Sequence, residues 1–298
     1  PKSVAQLESF MRQRASELLD ELLPRKTFDL TREYGGILAA SVMCKLMNMP
    51  LSLAPKVLDT FNEASLTDPQ QGGTEFSKIL QGSVELMLPF IAERRRAGAD
   101  GSVPLIDGMI NFRLDGRALT DEEIAVQLVC VFNGGTETVP KINAHGLMEL
   151  AACPDQLEEV RADLVSNVPK AVEEMIRYCA PAQWFVRTAH KPLVIAGQRI
   201  EVGQRVMVLY GSANRDEREY PDPDRFIWNR PIRRLLAFGF GQHYCMGVHV
   251  GRLELRVLVE EFLKRVRSYS FDMSAAVRLP SSFQWGWNKL PVIIEALN

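Results

Sequence analysis

Phe238-Gly-Phe-Gly-Gln-His-Tyr-Cys245-Met-Gly247 runs directly into Val248-His-Val-Gly-Arg-Leu-Glu-Leu-Arg256, and the reading of this stretch decides the reading of the chain. Beyond the cysteine, Val250, Leu253, Val257, Leu258 and Phe262 recur at helical spacing, with Arg252, Arg256, Glu260 and Lys264 opposite them. The pattern predicts an amphipathic helix that starts at once after Cys245. A cysteine at that place feels the free N–H groups of the helix start, which favour thiolate over thiol. Gly241 and Gly247 let backbone approach the sulfur, and Phe238 supplies a flat apolar wall. Such a residue is either a buried structural cysteine beside a glycine-rich turn or a thiolate ligand for a soft metal, haem iron among the known cases.

Composition narrows the setting. A chain of 298 residues, 46% hydrophobic, can bury one large core or two smaller ones. A net charge of -2 and a pI near 6.2 give no reason to expect nucleic acid or an anionic membrane as partner. Five cysteines, an odd number without paired spacing and without a secretory leader, point to a reducing, cytoplasmic setting. The most apolar segment, Gly35 to Met49, is interrupted by Lys45 and is too short to span a bilayer.

The N-terminal half reads as helical and chemically mute. Helices are expected over Ser3–Leu23, ended by Pro24, over Thr31–Asn48, closed by Pro50, and over Leu53–Ala64 and Thr74–Arg96. The last two flank a loop, Thr67-Asp-Pro-Gln-Gln-Gly-Gly73. Thr120-Asp-Glu-Glu123 is a capping box, and Ile124 to Ala152 follows with almost no polar face, as in a buried central helix. Its middle is poor helix material: Gly134 and Gly135 adjoin, and Pro140 leaves the carbonyl of Thr136 without an i+4 donor. The ladder is expected to open there, either for a ligand or for the close approach of another helix. Further on, Pro154 starts a helix and Val168–Tyr178 forms the next, where Glu174 and Arg177 stand at i,i+3. From Leu193 the period switches to two, which predicts a small antiparallel sheet from Leu193–Ile195, Arg199–Glu201 and Arg205–Tyr210.

Phe238-x-x-Gly241-x-x-x-Cys245-x-Gly247 resembles the haem-binding loop of the cytochrome P-450 family, and the other motifs stand in that family's order along essentially the whole chain. The resemblance implies a mainly α fold with a small antiparallel β region, one haem-thiolate domain over 1–298, and haem b (iron protoporphyrin IX) bound through Cys245. Gly134-Gly-Thr-Glu137-Thr138 matches the family's pattern over the iron, so Gly134 and Gly135 would make room for dioxygen while Glu137 and Thr138 organise proton delivery. Val139 stands where many members carry a second hydroxyl. The resemblance also makes Glu174 and Arg177 part of a buried triad completed by Arg225. Arg187 and His243 would contact the haem propionates, with Arg233 and Arg234 standing in for a histidine that soluble relatives carry before the loop. Trp184, Phe185 and Phe283 would line a pocket for an apolar small molecule, core packing being their other reading.

The implied reaction is monooxygenation with electrons from a ferredoxin or flavodoxin, docked on a basic face at Arg233, Arg234, Arg252 and Arg256. Two alternatives stand beside it: a haem-binding or haem-free relative without turnover, acting as partner or sensor, and a peroxide-driven oxygenase. Soluble members of the family are about a third longer. The additional part would precede Pro1, so a more open distal pocket is expected, in a fragment or in a naturally short member.

Overall fold

The computed structural model describes residues 2–65 and 74–297; the expected loop 67–73 lies outside the described residues. The fold is mainly helical. The helices are α1 (Lys2–Ala5), α2 (Glu8–Leu22), α3 (Ile37–Leu46), α4 (Ala54–Ser65), α5 (Thr74–Arg96), α6 (Pro104–Asn111), α7 (Asp121–Ala151), α8 (Pro154–Ala162), α9 (Leu164–Tyr178), α10 (Tyr210–Ala213) and α11 (Val248–Arg265). Among the described residues no helix is long and apolar enough to cross a membrane.

Everything is arranged about α7. Its start is the expected capping box: Thr120 Oγ1 accepts from the Glu123 N–H at 3.2 Å, and the Glu123 carboxylate accepts from the Thr120 N–H at 2.9 Å. The helix passes through two apolar clusters. Ile124, Leu128, Val129 and Phe132 belong to one, shared with α3 to α6, where Phe61 stacks on Phe132 with ring centroids 5.4 Å apart. Val139, Ile142, Leu147 and Leu150 belong to the other, built with α2, α9 and α11. The stretch 133–138, which holds both glycines, lies between them.

The ladder does not open at Pro140; α7 runs unbroken from Asp121 to Ala151. The irregularity falls instead on its neighbour. Leu30–Gly36, expected as ordinary helix from Thr31 on, is a π-helical turn capped by Asp29, which accepts from the Thr31 N–H at 3.0 Å. A β-carbon on Gly35 would lie 3.1 Å from Pro140 Cα, and one on Gly36 would lie 2.9 Å from Leu58. The widened turn therefore lays two side-chain-free residues flat against α7 and α4. Tyr34, fully buried in the same turn, donates to the Leu258 carbonyl at 3.0 Å and so ties it to α11.

The strands are β1 (Thr27–Asp29), β2 (Arg113–Leu114), β3 (Arg117–Ala118), β4 (Trp184–Thr188), β5 (Leu193–Ile195), β6 (Gln198–Ile200), β7 (Arg205–Leu209), β8 (Val266–Phe271), β9 (Val277–Arg278), β10 (Trp287–Lys289) and β11 (Pro291–Ala296). The single sheet expected after Leu193 is two ribbons. β5 pairs with β6 across the left-handed turn Ala196-Gly197, whereas β7 turns back through Gly203 and pairs antiparallel with β4, Trp184 opposite Leu209. The chain's last strand, β11, lies between β1 and β8 in an antiparallel sheet of three.

Candidate functional site

The cysteine loop is shaped by glycine. Gly239 and Gly241 take φ of +74° and +71°, a region that side chains disfavour, and this turns the chain so that the Cys245 N–H donates to the Phe238 carbonyl at 2.9 Å. Three residues later α11 begins. The N–H groups of Gly247 and Val248 lower the pKa of the thiol, but the protein packed around the sulfur outweighs them and pushes it up. Cys245 itself is exposed, and the helix start offsets only part of the desolvation that its surroundings impose. Around it lies apolar surface of an unusual kind. Phe240 is 82% and Met246 72% exposed, and Tyr244 is exposed too; on the separate β4–β7 ribbon Phe185, Met207 and Leu209 are exposed as well.

The loop reaches the β4–β7 ribbon through a chain of rings. A β-carbon on Gly239 would sit 3.6 Å from the Tyr210 hydroxyl, and the Tyr210 and Phe185 ring centroids are 5.6 Å apart. Phe283 stands edge-on to both Phe185 at 5.3 Å and Trp184 at 5.5 Å, and the Trp184 indole donates to the Ser282 carbonyl at 2.9 Å. The three expected pocket aromatics are therefore brought together. Arg187, on β4 among them, finds no carboxylate among the described residues; its guanidinium donates to the carbonyl of Val186 beside it at 3.1 Å. His243, Arg233 and Arg234 are exposed.

On α7 the structure divides what the motif joined. Space around Gly134 is open, whereas a β-carbon on Gly135 would lie 2.5 Å from Met43 Sδ. Gly135 is thus corrected from a cofactor contact to a helix-packing residue, because its face is the one α3 occupies. Thr138 shares the side of Gly134 and donates to the Gly134 carbonyl at 2.7 Å. Glu137 is buried, 1% exposed, and accepts from Lys141 Nζ at 2.6 Å and from the Asn62 amide at 3.4 Å. Gly286 makes room for that lysine, since a β-carbon there would meet the Lys141 stem at 3.0 Å.

The buried triad has a different third member. Glu174 and Arg177, both fully buried, pair at 2.7 and 2.8 Å, and Arg230, not Arg225, completes them at 3.1 Å. Arg225 is exposed and offers only its carbonyl, which accepts from Arg177 and Arg230. The physical reason is reach: Arg230 turns inward beneath the Pro221–Arg225 turn and donates to the carbonyls of Pro221 and Asp222 as well. The expected basic docking face also shrinks. Arg252 is held by Glu173 at 2.6 and 2.8 Å, and Arg256 by Glu8 at 2.6 Å.

Sequence reasoning missed Arg230, Lys141 and the Glu173–Arg252 pair. Lys141 had a signal, an acid and a base at i,i+4 in an otherwise apolar helix. The other two join segments far apart in sequence and had none.

Among the described residues no group of three His, Cys, Asp or Glu could hold a metal ion unaided. A lone thiol at a helix start, uncovered apolar side chains, the open face at Gly134 and a guanidinium without a carboxylate fit a flat, apolar, acidic group that brings its own metal ligands. Haem has that chemistry.

Comparison with known proteins agrees. The family model described as cytochrome P-450 matches residues 38–291. A protein of Mycobacterium tuberculosis (strain ATCC 25618 / H37Rv), provisionally named cytochrome P-450 123, is 33% identical over 307 residues, covering 99% of this chain and 73% of the relative. The methyl-branched lipid omega-hydroxylase of the same strain is 30% identical over 299 residues, covering 98% and 69%. The crystal structure of HmtN, a post-tailoring hydroxylase involved in himastatin biosynthesis, superposes with a TM-score of 0.87 at 29% identity, covering 99% of this chain and 76% of that one.

Proposed function

The chain belongs to the cytochrome P-450 family of haem monooxygenases, and from that premise we propose that it binds haem b through Cys245 and hydroxylates an apolar small molecule. The observation that carries this reading is the exposed Cys245 at the start of α11, flanked by uncovered apolar side chains and facing no other cysteine. When bound, the haem supplies dioxygen activation, and its thiolate ligand favours O–O cleavage. The balance is two electrons from a redox partner and two protons, one oxygen entering a C–H bond and the other leaving as water.

The chain's own residues set the conditions. Cys245 would hold the iron as thiolate, the form that the N–H groups of Gly247 and Val248 favour. Gly134 leaves space beside α7, and the Thr138 hydroxyl, now donating to the Gly134 carbonyl, is the group on that side able to pass a proton. Glu137 is the acid behind it, held by Lys141. Trp184, Phe185 and Phe283 form the apolar wall that selects the substrate, and Arg187 and His243 take the propionates. Arg233 and Arg234, exposed before the loop, are the cations left to dock a ferredoxin or flavodoxin.

The test is the carbon monoxide difference spectrum of the reduced protein. A strongly red-shifted Soret band that Cys245→Ser abolishes is expected; the band of a neutral or nitrogen ligand would end the proposal. Thr138→Ala separates the routes: it should cut turnover with dioxygen and a donor while sparing turnover with peroxide.

A further inference from the structure

Resting on Cys245 as the iron ligand, we propose that Arg252 is a positioning residue that clamps the cysteine loop at Phe238, with Glu173 holding it in place. Its guanidinium lies 4.8 Å from the centroid of the Phe238 ring, while its fork grips the Glu173 carboxylate at 2.6 and 2.8 Å. Phe238 is the residue before the first loop glycine. Its carbonyl takes the hydrogen bond that closes the loop, from the Cys245 N–H at 2.9 Å.

The loop needs such help from outside. Gly239 and Gly241 give it the left-handed turns it requires, and the same freedom makes many other conformations accessible. A guanidinium can present its edge to a carboxylate and its face to an aromatic ring at once; an ammonium cannot. The position on α9 matters too. Glu173 adjoins Glu174, whose carboxylate holds Arg230 upstream of the loop. One helix therefore references the chain on both sides of the cysteine. Arg252 and Glu173 are each about a third exposed, so as a tether the pair contributes little to stability. Its effect is on where the sulfur sits.

The experiment compares haem-loaded wild type, Arg252→Lys, and the exchange double variant Glu173→Arg/Arg252→Glu. Three readouts are taken: the thermal midpoint, hydrogen exchange at the Cys245 amide, and the division of the reduced carbon monoxide band between thiolate and neutral-thiol positions. Both variants should keep the wild-type midpoint, exchange the Cys245 amide about tenfold faster, and move part of the band to the neutral-thiol position. Should the exchange variant restore both rate and band, the pair is only a tether between helices and the clamp is wrong. An unchanged Arg252→Lys would overturn it equally. If Arg252→Lys failed to fold, Glu173→Gln, which retains one hydrogen bond to Arg252, would carry the same comparison. A wild-type protein without any thiolate band would instead sink the assignment of Cys245, while the amide rates would still read the clamp.

Discussion

The two arms of the cysteine loop are anchored by neighbouring carboxylates on one helix, and they are anchored in different ways. Glu174 turns inward, where it and Arg177 are fully buried and Arg230 nearly so. Glu173 turns outward to Arg252, and both remain about a third exposed. A buried pair cannot release one partner without stranding a charge away from water, so it fixes the path of the backbone. A partly exposed pair exchanges readily with solvent, so its contribution lies in the aim of a side chain. The upstream anchor is thereby rigid, and the downstream anchor, reaching back to Phe238, adjusts the loop.

The comparison can be broken most severely from the buried side. Arg177→Ala leaves Glu174 with Arg230 and the Ile227 N–H and frees the carbonyls of Asn214 and Pro223, each now accepting at 2.9 Å. A loss of about 3–5 kcal/mol is expected in denaturant unfolding; a loss near that of a surface pair would erase the distinction between the arms. Next comes Lys141→Met, which leaves the buried Glu137 with Asn62 as its remaining side-chain partner. It should cost about 3 kcal/mol, and the double variant with Glu137→Gln should recover much of that in a mutant cycle.

Glu254 sharpens the rule with the opposite sign. It is buried on α11, and burial alone acts on its carboxyl, holding its pKa well above the ordinary 4.5. A raised acid pKa means that the folded state keeps a proton the unfolded chain gives up, so this group weakens the fold as pH rises above that ordinary value. Glu254→Gln should therefore be more stable than wild type at neutral pH, and the gain should vanish once both states are protonated below about pH 4. Unfolding curves across pH would show it. The smallest effect belongs to Arg256→Gln, which removes a partly exposed partner of Glu8 and should shift stability by no more than about 0.5 kcal/mol.

What the sequence made legible was local. The helix after Cys245, the capping box at Thr120 and the long buried helix behind it are written in consecutive residues, and each stands where the pattern puts it. What stayed hidden depends on where distant segments meet. Arg225 and Arg230 follow the same Asp-Pro-Asp turn, and only the folded path decides which of them faces Glu174. Gly134 and Gly135 are identical as residues and are told apart by Met43, ninety positions away in sequence and supplied by α3. The strand after Gly203 pairs with β4 rather than β6 because the turn redirects it, and alternation alone is the same in both cases.

One feature of α7 reaches beyond the loop. Thr136 and Thr138 both turn their hydroxyls back onto carbonyls four residues earlier, at 2.9 and 2.7 Å, and Pro140 withholds an amide from the next turn. These three departures fall in and just beyond the six residues that belong to neither apolar cluster. The rod that joins the two halves of the molecule is thus softest at its midpoint, like a beam notched between its supports. Local bending of the helix costs least there, beside the open face at Gly134.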